Sequence, residues 1–197
     1  MTGFPITEKF LREFKACKPG LNFFKKNKLE GKDYTEICAL LEEKGHTDWS
    51  AFVRMYVAES KDATIEMLEK FSKDEDWRVR SSVAKNPNVP ISILERLSKE
   101  SCVSVIFSIV ANHKVTPQMF ENMGKSKTNS IRHYIATISK APAHVLEALS
   151  KDEDWKIRRS VVLNKSTPDH VIKSLCGDKH YYVYYHAHGV KTCRGIA

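Results

Sequence analysis

Two sets of side chains, each recurring at one fixed interval along the chain, carry most of the chemistry this protein can offer. Arg78, Ser104, Ser130, Lys156 and Tyr182 form one column, and Ser81, Phe107, His133, Arg159 and Tyr185 form the other. Guanidinium groups pair with carboxylates or phosphates, and aromatic rings add contact area to a recognition surface. These columns change character from copy to copy, as a surface fitted to a partner does. Arg78, Phe107, His133, Lys156, Arg159 and Tyr185 are accordingly the candidate partner-binding residues. Arg80, Arg132 and Arg158 also share one repeat position. For them a structural ladder is expected, with Asp76 and Asp154 close enough in sequence to cap helices or accept the bonds.

Signals for catalysis or metal binding are sparse. The sequence has no Walker motif, no GxGxxG, no HExxH and no G-x-S-x-G. The triplets Asp74-Glu75-Asp76 and Asp152-Glu153-Asp154 precede helix starts, where carboxylates interact favourably with free N–H groups. The tail holds His180, His186, His188 and Cys193, but no second ligand pair has zinc-site spacing. Neither catalytic nor metal-ligating residues are assigned. The tyrosines between His180 and His186 are expected to cap the last copy and to leave part of their rings to a partner.

The positioning framework is a repeat. Leu68–Val83 returns as Leu146–Val161 with eleven of sixteen residues unchanged. The step from Leu68 to Leu94 is the period, and Leu146 stands three such steps beyond Leu68. Four apolar columns keep that register. They run through Leu68, Leu94, Phe120, Leu146 and Ile172; Phe71, Leu97, Met123, Leu149 and Leu175; Val79, Val105, Ile131, Ile157 and Val183; and Val83, Ile109, Ile135, Val161 and Ala187. Such a pattern predicts supersecondary units that share one continuous core. Each copy divides into a short first piece, partly 3₁₀, introduced by Pro90, Thr116, Pro142 or Pro168, and a second helix of about ten residues. The second helix begins after Asp76 or Asp154, buries Trp77, Val79, Val83 and Ala84, and ends at Asn86, Asn112 or Asn164, residues that tolerate left-handed geometry.

Residues 1–60 fall outside the register and read as a helical capping unit. Thr7 opens a helix bearing Phe10, Leu11, Phe14 and Cys17, which Pro19-Gly20 stops. Asp33 caps a second helix ended by Gly45, and a third starts at Asp48 with Trp49, Phe52, Val53 and Tyr56. The expected organisation is a capping unit over 1–60, an array of five copies over 64–189, and a basic tail over 190–197.

The stretch Phe71-Ser-Lys-Asp-Glu-Asp-Trp-Arg-Val-Arg-Ser-Ser-Val-Ala-Lys-Asn-Pro-Asn-Val-Pro90, and its partner Leu149–Pro168, resemble the leucine-rich-repeat variant family, whose shape is related to HEAT repeats. The resemblance implies an all-α, right-handed α-solenoid of five 26-residue HEAT-like repeats, with binding through its concave face. A characterised type of the family resembles an iron–sulfur protein through a separate cysteine cluster. The five cysteines here form no C-x₂-C, so no cofactor is carried over. The segment Phe14–Phe24 resembles a short helical piece found in bacterial and phage repeat proteins.

Composition sets the partner class. The formal charge is +8, and residues 64–189 carry 19 basic and 14 acidic side chains. A modest excess favours an acidic partner. The expected function is non-catalytic protein binding to an acidic surface; the alternative is nucleic-acid binding by the same basic and aromatic face. No stretch reaches the length of a membrane span, and Cys17, Cys38, Cys102, Cys176 and Cys193 suit reduced, mostly buried thiols, so a cytoplasmic location is expected.

Overall fold

The computed structural model describes residues 3–196; Met1, Thr2 and Ala197, the outermost residues of the predicted capping unit and tail, lie outside it. Fourteen helices are found among the described residues: α1 (Glu8–Glu13), α2 (Lys18–Lys26), α3 (Tyr34–Glu43), α4 (Thr47–Glu59), α5 (Ile65–Phe71), α6 (Trp77–Lys85), α7 (Ile91–Leu97), α8 (Val103–Ala111), α9 (Pro117–Gly124), α10 (Asn129–Thr137), α11 (Ala143–Leu149), α12 (Trp155–Leu163), α13 (Asp169–Leu175) and α14 (Tyr181–Cys193). From α5 onward, odd-numbered helices start at Ile65, Ile91, Pro117, Ala143 and Asp169, and even-numbered ones at Trp77, Val103, Asn129, Trp155 and Tyr181. Both series advance by the period of the sequence. The fold is all-α, with neighbouring helices packed along the chain, which fits an α-solenoid. No described helix is long and apolar enough to cross a membrane.

The four apolar columns account for this packing. All twenty of their residues are at most 4% exposed, and each except the small Ala187 contributes about 1.5–3 kcal/mol on leaving water. The short first pieces are α-helical rather than 3₁₀. Pro142 and Pro168 serve as their N-caps, one residue before the first turn. Asp76 and Asp154 cap α6 and α12 by accepting from Arg78 N (2.8 Å) and Lys156 N (2.9 Å).

Contacts divide the chain into two compact units. One runs to Ile93 and includes Ala111–His113; the other comprises Leu94–Val110 and the chain from Lys114. In the first unit, a single antiparallel bridge between Pro5 and Asp33 pins the N-terminal segment to the start of α3. Pro19 does not stop a helix there. It sits in the first turn of α2, where its fixed φ is already helical; α1 ends earlier, at Glu13, and Lys15 just beyond its cap takes a left-handed conformation (φ 56°). Gly45 closes α3 with φ 78°, as its lack of a Cβ allows.

The expectation that the first 60 residues ignore the repeat needs correction. In α4, Val53, Arg54, Val57 and Ala58 stand one period before Val79, Arg80, Val83 and Ala84, and Val53, Val57 and Ala58 are buried. Arg54 Nε donates to Asp74 Oδ2 at 2.7 Å. The same 20-residue reach joins Arg132 to Asp152 (2.7 and 3.2 Å) and Arg158 to Asp178 (2.7 and 2.9 Å). The arginine ladder thus exists, but its carboxylates lie just before the second helix of the next copy rather than at Asp76 or Asp154. Arg132 and Arg158 also donate to carbonyls that precede their own helices, as Arg158 does to Asp152 O and Glu153 O. Arg80 does likewise to Asp74 O and Glu75 O.

A second ladder is built from asparagine. Asn86 Nδ2 donates to Ala58 O and Ser60 O, Asn112 Nδ2 to Ala84 O and Asn86 O, and Asn164 Nδ2 to Ala136 O and Ile138 O, all within 2.7–3.3 Å. Left-handed geometry is not their role. Asn86 and Asn164 have φ −61° and −73°, and they are buried because the amide must reach the preceding helix end. In α14 the helix continues through Cys193, into the predicted tail, and Val190 holds the asparagine position. Arg194 there supplies the donors, reaching Asn164 O, Lys165 O and Thr167 O.

Two further expectations fail. Trp77 is 46% exposed rather than buried. Its counterpart Trp155 is partly covered, because His180 and Tyr182 stack on it. Of the five thiols, all free, only Cys38 is buried, while Cys17 and Cys193 are exposed.

The Arg158 guanidinium holds the Asp178 carboxyl below its ordinary range. A folded value below the unfolded one means that this carboxylate stabilises the fold above about pH 4 and that the contribution is lost as pH falls through the folded value. The stability gap between the native chain and Asp178→Asn should therefore shrink in urea titrations taken from pH 6 to pH 2.5. A gap that stays constant over that range would contradict the assignment.

Candidate binding face

The second column of variable residues sits at one position of four helices in the second unit: Phe107 on α8, His133 on α10, Arg159 on α12 and Tyr185 on α14. Short links tie these helices side by side. The Phe107 ring meets Tyr134 edge-on at 4.1 Å, and His133 Nε2 lies 3.0 Å from Ser160 Oγ, beside Arg159. Trp155 stacks on His180 at 4.1 Å and on Tyr182 at 5.6 Å, joining α12 to α14. The face therefore runs without a break from Phe107 to Tyr185. Phe107 and Tyr185 are 45% and 59% exposed, so both rings present apolar area to solvent.

Charge on this face is selective. Arg132 and Arg158 are held by Asp152 and Asp178, and their side chains are only 11% and 8% exposed. Lys156 is exposed and Arg159 half-buried, and neither has a carboxylate within ion-pair distance among the described residues. The Asp154 carboxylate accepts from the Lys156 backbone N–H instead. Two cations without carboxylate partners, on a unit that also exposes aromatic rings, can receive carboxylates or phosphates from outside.

Arg78 belongs to the first unit and differs in kind. Its guanidinium meets Asp76 at 2.6 Å and Asp48 at 3.0 Å, and it lies 5.1 Å over the Phe52 ring. Hydrogen bonds to Asp76, then Asp48, hold its proton more firmly than usual. The structure thus brings five of the six candidates onto one unit and engages the sixth internally.

Tyr134 and Leu163, which the sequence analysis does not single out, join the face, together with Tyr182 of the first variable column. Tyr134 breaks a column otherwise occupied by Ser82, Ser108, Ser160 and His186, and that break was the available signal. Tyr182, in the same column as Lys156, and Leu163, one turn beyond Arg159, are 53% and 47% exposed. Among the described residues no group of three or more His, Cys, Asp or Glu is placed to hold a metal ion. His186 lies against Tyr185, and His188 Nε2 lies 3.2 Å from Cys176 O. His133 and Ser160 are within reach of each other, but the pair is solvent-exposed and serves as a link between α10 and α12.

No protein-family description matches the chain, and no curated protein is similar to it. Among solved structures it is similar to one described as a leucine-rich repeat variant with a novel repetitive protein structural motif, at 20% identity and a TM-score of 0.34. The similarity covers 70% of this chain and 65% of that one, so the chain spans just under two thirds of the length of the structure it resembles.

Proposed function

We propose that this protein is a non-catalytic binding module for a cytoplasmic protein with an acidic surface. The observation that carries this reading is the pair Lys156 and Arg159, cations without internal carboxylate partners on a face that also exposes Phe107, Tyr182 and Tyr185. The ladder arginine between them in sequence, Arg158, is saturated, so among the cations of α12 Lys156 and Arg159 are the ones available to a partner. Rings at the centre of a contact supply area, and charges supply register and encounter rate.

The test is a comparison of the native chain with the double variant Lys156→Glu/Arg159→Glu. A protein captured by the native chain should be identified by mass spectrometry, purified and titrated against both. The double variant should bind about 100-fold more weakly, because two attractive contacts become repulsive. Equal affinities would remove the reading. Tight binding of a single-stranded oligonucleotide that falls steeply between about 50 and 200 mM salt would replace it with nucleic-acid recognition.

A further inference from the structure

A second site lies in the first unit. α1, α2, α3 and α4 surround a cavity of about 280 Å³. It is nearly twice the roughly 150 Å³ of an apolar cavity that takes up benzene. Leu11, Phe24, Ile37 and Val53 are among the apolar side chains that line it. It opens to solvent beside Lys15 and Cys17, both exposed. Filling so large a void with methylene groups would recover contacts that its walls now lack.

The polar groups on its lining are few. Lys15, Trp49 and Tyr56 contribute hydrogen-bond donors, and no carboxylate lines the cavity. We propose that this cavity binds a single-chain amphiphile with a carboxylate head, its hydrocarbon against the apolar walls and its head at Lys15. Burial pushes the Tyr56 phenol above its usual range, so it is a neutral donor at pH 7. The backbone sets Lys15 at the rim. Ala16 N donates to Leu11 O and Lys15 N to Arg12 O, a helix ending that places Lys15 at φ 56°. That is the position where glycine is relaxed and a lysine is strained.

This conformation provides a clean variant, because Lys15→Gly removes the ammonium while suiting the backbone. Decanoate and decanol are titrated into the full chain below their aggregation limits, by calorimetry and by methyl NMR at Ile6 and Ile37, both on the lining. The native chain should bind decanoate saturably, with shifts at those methyls. Lys15→Gly should weaken decanoate about tenfold, leave decanol within twofold, and melt no lower than the native chain. Ala16→Phe, which puts a ring into the cavity, should weaken both ligands at least tenfold. The proposal fails if decanoate does not saturate, if its shifts lie elsewhere, or if Lys15→Gly leaves its affinity within twofold. Should Ala16→Phe not fold, the Lys15→Gly comparison decides alone.

Discussion

Arg158→Met is expected to cost about 3 kcal/mol of stability, the low end for breaking a buried ion pair from one side. The pair is well made. Arg158 donates to both Asp178 oxygens at 2.7 and 2.9 Å, and the two side chains are only 8% and 7% exposed. Removing the guanidinium leaves the Asp178 carboxylate buried with the His180 N–H as its hydrogen-bond donor. It also frees Asp152 O and Glu153 O, which the same arginine now satisfies. A loss of that size lowers the melting temperature by about 6–12 °C for a chain of this length. Arg158→Met/Asp178→Leu should recover most of it, since a well-packed apolar pair can match a buried ion pair. Urea unfolding of the two single variants and the double gives the coupling. A single-variant cost below about 1 kcal/mol would place the pair with ordinary surface bridges.

What the sequence made legible was what it repeats. Leu68, Phe71, Val79 and Val83 return in kind four times over, and a column of apolar residues has one physical use, burial, so the core followed from it. Polar columns were harder, because their partners lie in another copy. The acceptors of Arg132 and Arg158 are 20 residues downstream, whereas Asp76 and Asp154, nearer in sequence, turned out to cap helices. Arg78 shows a related limit. Its column varies like a binding column, but Asp76, two residues before it, holds its guanidinium, and Asp48, thirty residues away, adds a contact that no local pattern announces.

Val53-Arg54-Met55-Tyr56-Val57-Ala58 matches Val79-Arg80-Ser81-Ser82-Val83-Ala84 at four of six positions, enough to place α4 in the repeat register. Aromatic residues around it obscure the match. Pro19-Gly20 reads as punctuation because the pair breaks helices from within, yet at a first turn the same proline starts one. Trp77 and Trp155 sit in closely matching local sequence, and Trp155 is the one that the rings of α14 cover. For the candidate face, the varying columns could be read but the continuity could not, since it depends on Tyr134 and Ser160 linking neighbouring helices.

Asn164 separates the two accounts of a helix end most sharply. If left-handed geometry were its purpose, Asn164→Gly would be neutral or stabilising, because glycine adopts that conformation freely. The residue instead sits at φ −73°, donates to Ala136 O and Ile138 O at 2.8 and 2.9 Å, and accepts from Ser166 N at 2.9 Å. Its side chain is a bridge between consecutive second helices, buried at 5% exposure. Asn164→Gly and Asn164→Leu should both cost about 2–4 kcal/mol, since each deprives buried backbone groups of partners at roughly 1–3 kcal/mol apiece. Asn164→Asp should do no better, because it keeps the acceptor for Ser166 and sets a carboxylate against two carbonyl oxygens. Urea unfolding of the three variants distinguishes the roles. A glycine variant as stable as the native chain would restore the conformational explanation, while equal losses in glycine and leucine variants would identify the amide itself as the link that carries one copy onto the next.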